Sequence, residues 1–196
     1  MITFKQYLME GITDMTYEES LHIIAKECRQ YLYHALPTGT KIYRGLNKGI
    51  HSDVSKIDTY EFRKPKTTPD NIHKEIDDYF LKHYGRKWRS NYVIFGGTKN
   101  EASSYTNVRT DNKFKTGIIF PVGSYHLLWC PKVRDLYASL NFIPGTIEGQ
   151  LDRYKYTMEF PPVDFSSEIM IYCKSYYIVS EDYEDRIYDD LRAVYK

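Results

Sequence analysis

Three short segments of this chain carry residue types that could do chemistry together. Arg44 stands near the end of the strand-like run Lys41-Ile42-Tyr43-Arg44-Gly45-Leu46. A guanidinium at a strand end, beside a residue with no side chain, can grip a phosphate through two parallel N–H donors while backbone approaches the ligand. Phe95-Gly96-Gly97-Thr98 runs into a polar stretch that opens a helix. Glycines followed by a hydroxyl at a helix N-terminus offer N–H groups and the positive end of the helix dipole to an anion or a ribose. The same Thr98 begins Thr-Lys-Asn-Glu, a capping box in which its hydroxyl pairs with Glu101 and serves its own helix. Glu168 opens Glu-Ile-Met-Ile-Tyr-Cys. Strand alternation sets Glu168, Met170 and Tyr172 on one face and Ile169, Ile171 and Cys173 on the other. A carboxylate in such half-apolar company can stabilise a developing positive charge. Each segment also has a plain structural reading: a surface arginine, a self-capped helix, a solvated acid at a strand edge.

The elements that must position these residues are legible in part. Residues 1–10 read as a short separate segment closed by Gly11, and Thr16-Tyr17-Glu18-Glu19 is a capping box. Behind it Leu21, Ile24, Ala25, Cys28 and Leu32 share a helical face, which predicts a helix from 16 to about 34 that stops before Pro37-Thr38-Gly39. Residues 41–46 predict a strand, and 47–67 a polar, basic loop. Thr68-Pro69 predicts a helix start with Thr as N-cap, Ile72, Ile76, Tyr79, Phe80 and His83 a buried face, and Gly85 a left-handed cap. Strands are predicted over 92–95, 116–120 and 124–129, a short helix over 132–140, and an irregular connection over 141–165. Glu168–Cys173 and Tyr176–Ser180 read as a hairpin across Lys174-Ser175, followed by an amphipathic helix from Glu181. Helices cluster early and strands late, so the class is α+β.

Composition narrows the function. Of 196 residues 42% are hydrophobic and 27% charged, the balance of a folded domain rather than a disordered chain. Lys plus Arg number 27 against 26 for Asp plus Glu, so no whole-protein field draws in nucleic acid or an anionic surface. No apolar run approaches the ~20 residues of a spanning helix, and the first ten residues lack the apolar stretch of a secretory signal. Cys28, Cys130 and Cys173 are odd in number and far apart, which argues against a disulfide framework or a cysteine zinc site and for a reducing compartment. The six histidines show no ligand spacing, so no metal is expected. The 20 tyrosines suit half-buried sheet faces and binding clefts.

In their order, Ile42-Tyr43-Arg44-Gly45, Phe95-Gly96-Gly97-Thr98 with Ala102 and Tyr105, and Glu168-Ile169-Met170-Ile171 with the return strand Tyr177-Ile178-Val179 resemble the Arg–Ser/Thr–Glu signature of the ADP-ribosyltransferase family. The resemblance covers roughly residues 40–180. It implies two packed, mostly antiparallel β-sheets with flanking helices, here over 37–196, and an N-terminal helical extension over 11–36. It also implies NAD as substrate, without a metal. Arg44 would hold the pyrophosphate, with Gly45 beside it. Thr98 would order a ribose of NAD or Glu168, and Glu168 would bond a ribose hydroxyl and stabilise the oxocarbenium-like transition state. Tyr43, Tyr92, Phe95 and Tyr105 are the aromatic residues available to wall the nicotinamide. Two departures stand out: Gly96-Gly97 replace hydroxyl residues usual in the family, and Ser166 stands where arginine-specific members carry a second Glu. The acceptor residue is therefore open.

Met-Ile-Thr-Phe-Lys-Gln-Tyr-Leu-Met-Glu resembles the capsid-targeting peptides of T4-like phages, which implies cleavage after Glu10. The stretch 63–73, Arg89-Ser90 and Phe120-Pro121-Val122-Gly123 resemble uncharacterised proteins of large tailed phages. Together these imply a mono-ADP-ribosyltransferase packaged in the phage head and delivered to the host cytoplasm to modify a host macromolecule. Head or capsid proteins would be further partners. The alternatives are a non-catalytic virion protein on a degenerate copy of the fold, and a nucleic-acid binder using Arg63, Lys64, Lys66, Arg86, Lys87 and Arg89 near Tyr60, Phe62 and Trp88.

Overall fold

The computed structural model describes residues 12–46, 52–61, 68–104, 116–143 and 145–195. The Thr16 hydroxyl accepts the Glu19 N–H at 3.4 Å and the Glu19 carboxylate accepts the Thr16 N–H at 3.2 Å, completing the capping box that starts α1 (Tyr17–Glu27). The expected single helix breaks at Cys28, whose thiol reaches the Phe120 carbonyl at 3.4 Å, and resumes as α2 (Arg29–Thr38). It runs through Pro37, because a proline in the last turn forfeits a single helical bond. The stop is Gly39, at φ 75°, which donates its N–H to the Ala35 carbonyl.

The fold is α+β with two antiparallel sheets. The five-stranded sheet combines β1 (Ile12–Met15), β2 (Tyr43–Gly45), β3 (Val54–Asp58), β5 (Thr116–Pro121) and β8 (Ser175–Ser180) in the order β1-β3-β8-β5-β2. The three-stranded sheet has the order β4-β7-β6, from β4 (Val93–Gly96), β6 (His126–Trp129) and β7 (Ile169–Tyr172). A single bridge, Tyr43 to Gly97 with both N–H···O bonds at 2.9 Å, joins β2 to the end of β4.

Two expectations about strands are corrected. β7 and β8 do not pair as a hairpin; the chain leaves one sheet at Cys173 and enters the other at Ser175, so each becomes the middle strand of its own sheet. Thr59 fixes the crossing by donating its hydroxyl to the Cys173 and Lys174 carbonyls. The stretch 47–67 is not all loop, because β3 lies inside it. Its polar look is deceptive: Ser55 is fully buried and donates to Asp14, while Lys56 lies along Tyr177 and pairs with Glu27 at 2.7 Å. β1, also unforeseen, is the edge strand beside it.

α3 (Asp70–Tyr84) buries Ile72, Ile76, Tyr79 and Phe80 of the expected face but leaves His83 exposed beyond it; the left-handed cap at Gly85 is as expected, with Pro69 rather than Thr68 as the residue before the first turn. α4 (Lys99–Ser104) and α5 (Leu136–Ser139) are short. α6 (Ile147–Leu151), inside the stretch expected to be irregular, buries Ile147 and Leu151 against the α3 side. The chain closes through a 3₁₀ turn at Glu181–Tyr183 and α7 (Ile187–Val194).

The core has two parts. One joins α1, α2 and α7 to the five-stranded sheet and continues between the sheets through Ile94, Ile169, Ile171 and Cys173. The other lies under α3 and holds Ile76, Phe80, Trp88, Leu128 and Met170. β1 and α1–α2 share the first core with the strands that follow them.

Candidate functional site

The three motif segments meet edge to edge. β2 touches the end of β4 through Tyr43 and Gly97, β4 pairs with β7, and the last pair, Gly96 with Ile169, leaves Glu168 as the next residue along. Neighbouring strands do not make neighbouring side chains, however.

Arg44 is half-buried, on the side of its sheet that faces the three-stranded sheet. Opposite it in register is Gly117, and its guanidinium passes toward Tyr176, 5.6 Å from the ring centre. It thus heads toward the Cys173 end of β7. Burial pushes the Cys173 thiol up to about 12, against the pull of the Arg44 charge. Tyr43 turns the other way, toward the helices, and donates its hydroxyl to Glu184, so its ring does not share the space of Arg44. Gly45, half-buried, lies opposite Thr116.

The glycine pair is explained by close approach within the chain. A Cβ on Gly96 would sit 2.5 Å from Ile42 Cγ2, and one on Gly97 would sit 2.9 Å from Glu101 Oε2. Thr98 is engaged by its helix: Glu101 Oε2 accepts both the Thr98 N–H and its hydroxyl at 3.1 Å, and the Glu101 N–H points back to the Thr98 hydroxyl at 3.3 Å. The N-terminus of α4 is thereby closed by its own carboxylate.

Glu168 lies on the other side of β7, with Met170 and Tyr172, as alternation predicts. Its N–H donates to the Arg134 carbonyl at 3.0 Å, and its Oε2 accepts the Leu136 N–H at 3.2 Å. Asp135 accepts the Tyr137 and Ala138 N–H groups, so two carboxylates cap the first turn of α5. The Arg89 guanidinium stands 3.6 Å from Glu168 Oε2, with the two side chains 14% and 16% exposed, and lies 4.6 Å over the ring of Phe95. Arg89 itself is fixed from below: its N–H donates to Asp77 at 2.8 Å, the Ser90 hydroxyl donates to the same carboxylate, and His73 Nε2 lies 2.9 Å from that hydroxyl. Asp77 is 3% exposed. Such a site offers a held, half-buried carboxylate beside an aromatic face and a fixed cation. It can bond a hydroxyl and stabilise positive charge nearby.

In sequence Arg89 is one member of a basic run; in the fold it stands against Glu168. Its signal was the segment Trp88-Arg89-Ser90 leading directly into the motif strand. Trp88, the aromatic residue within the basic run, is fully buried. Arg86 lies 4.3 Å over Tyr172 and bonds His126 at 2.9 Å; burial, then the Arg86 charge, holds that imidazole below its ordinary value. Tyr92 takes a positive φ of 53° and sets its ring edge-on to Tyr172. A broad depression of about 510 Å³ elsewhere is lined by Lys26, Arg29, Tyr33 and His34, and by none of the candidate residues. Tyr105, Glu10 with the 1–10 segment, and Arg63, Lys64 and Lys66 lie outside the described residues. Among the described residues no cluster of three His, Cys, Asp or Glu side chains is placed to hold a metal, and no helix is long and apolar enough to cross a membrane. No protein-family model, no curated protein and no solved structure matches the chain.

Proposed function

We propose that the chain is a mono-ADP-ribosyltransferase that cleaves NAD through Glu168. The observation that carries the reading is the meeting of three segments far apart in sequence, 42–45, 95–98 and 168–171, on successive neighbouring strands with Glu168 at their common end. The held, half-buried carboxylate suits the chemistry. As the bond from ribose C1′ to nicotinamide breaks, its electron pair leaves with nicotinamide. Glu168 stabilises the cation left on the ribose and bonds a ribose hydroxyl, and a nucleophile on the acceptor then closes on C1′. The acceptor is a host macromolecule. Residues 1–10 would direct the chain to the phage head among its head and capsid proteins, and virions carrying the chain with Gly11 as its first residue would support that part.

The test is incubation with isotopically labelled NAD and bacterial lysate, with Glu168→Gln alongside. Label transferred by the wild type and reduced about 10²–10³-fold in the variant is the expected result. The absence of both transferred label and released nicotinamide would overturn the enzyme reading.

Two observations favour a second reading, a non-catalytic virion protein. Arg44 and Glu168 face opposite sides of the three-stranded sheet, and the Thr98 hydroxyl is committed to Glu101. That reading expects a fixed copy number in virions and indifference to NAD.

A further inference from the structure

We infer that Arg89 is a positioning residue for Glu168, standing where the family resemblance would put Thr98. The inference rests on the reading of Glu168 as the reacting carboxylate. Three features carry it. First, Arg89 is itself immobilised: its N–H is held by the buried Asp77, the next residue bonds the same carboxylate, and its guanidinium plane lies against Phe95. A planar cation fixed by backbone and ring keeps a direction that a lysine on a free stem would not. Second, Arg89 and the Leu136 N–H both address Oε2 of Glu168, at 3.6 and 3.2 Å. Third, the buried NH1 of Arg89 has no hydrogen-bond partner among the described residues, and the carboxylate recorded beside it is Glu168. A separation of 3.6 Å is electrostatic contact rather than a hydrogen bond, so the pair orients the carboxylate without consuming it. Thr98, bonded to Glu101, takes no part.

Among the described residues, Tyr156 after α6, Cys130, Asp135 and Arg134 before α5, Tyr172 on β7, and His73 and Asp77 on α3 also lie on this side. Burial, more than the charges of Cys130 and Glu168, keeps the Tyr156 phenol protonated. Among the described residues Arg89 forms the ion pair with this carboxylate, and its removal has a signature that a packing defect lacks.

The experiment follows the carboxyl ¹³C signal of Glu168 through pH in wild type, Arg89→Lys, Arg89→Gln and Arg89→Met, assigned with Glu168→Gln, together with NAD cleavage across the same range. In Arg89→Met and Arg89→Gln the Glu168 midpoint rises by about 1–3 pH units, the acid limb of kcat moves with it, and KM changes little. Arg89→Lys restores most of the midpoint and less of kcat. A Glu168 midpoint unchanged in either neutral variant, folded by circular dichroism, overturns the inference. A midpoint that moves in the variants while the wild type never cleaves NAD keeps the pair and discards the enzyme.

Discussion

The two sides of β7 are built to different rules. Toward the five-stranded sheet, Ile169, Ile171 and Cys173 meet an apolar layer, and Arg44 reaches toward it from β2. Toward α3, Met170 and Tyr172 share their side with Glu168, Arg89, Ser90, His73 and Asp77, a chain of charged and hydrogen-bonding groups laid over a second apolar cluster. The lesson concerns strands. Pairing brings backbones level, but alternation decides which side chains share a space, and a shift of one residue sends a group to the opposite side of a sheet. Arg44 and Glu168 sit on adjoining segments and still face away from each other.

Three measurements break or sharpen that contrast. The largest effect belongs to Trp88→Ala, which empties the middle of the α3 side, where the indole is fully buried. It should cost about 3–5 kcal/mol in a urea titration, and amide exchange should accelerate in α3 before it does in β5 and β8. Equal acceleration everywhere would mean that the two sides form one cooperative block. Next comes Gly96→Ala, which drives a methyl to 2.5 Å from Ile42 Cγ2 on the inter-sheet side. The expected loss is about 1–3 kcal/mol, shrinking in an Ile42→Ala background as a double-mutant cycle measures. A cost that stays the same in that background would show that the clash is relieved elsewhere.

The smallest test leaves both sides of β7 alone. Burial raises the Glu27 carboxyl, but bonds from Lys56 and Tyr177 outweigh it and hold the group below its ordinary 4.5. A carboxyl depressed in the folded state stabilises above its unfolded value and loses that contribution as pH falls through the lowered folded one. For a partly exposed pair the amount is below about 1 kcal/mol. Lys56→Met should therefore flatten the stability difference between pH 6 and pH 3 by that amount. No change in slope would assign the acid sensitivity to other carboxyls.

Local chemistry made much of the fold legible. Thr16 with Glu19, Gly85, and the alternation after Glu168 act through neighbours in sequence, and all three are realised. What stayed hidden depends on partners far along the chain. β3 reads as polar because Ser55 and Lys56 are satisfied by Asp14 and Glu27. β7 and β8 read as a hairpin because nothing in Lys174-Ser175 reveals that each strand has two other strands to pair with. At the site, the position of Glu168 was legible. The pairing of Arg89 with it was not, since it arises only when α3 carries Asp77 beneath the segment that precedes β4.

The sheet order also bears on synthesis. β8 is the middle strand of five and β7 the middle strand of three, and both come from residues 169–180. A ribosome that has made the first 160 residues has made the outer strands of both sheets and the central strand of neither. β5 and β3 then have no strand between them, and β4 and β6 likewise. Chains paused there expose unpaired strand edges, the condition under which nascent proteins aggregate or recruit chaperones. Both sheets therefore stay open until residues 169–180 are made, and Glu168 stands immediately before the segment that closes them.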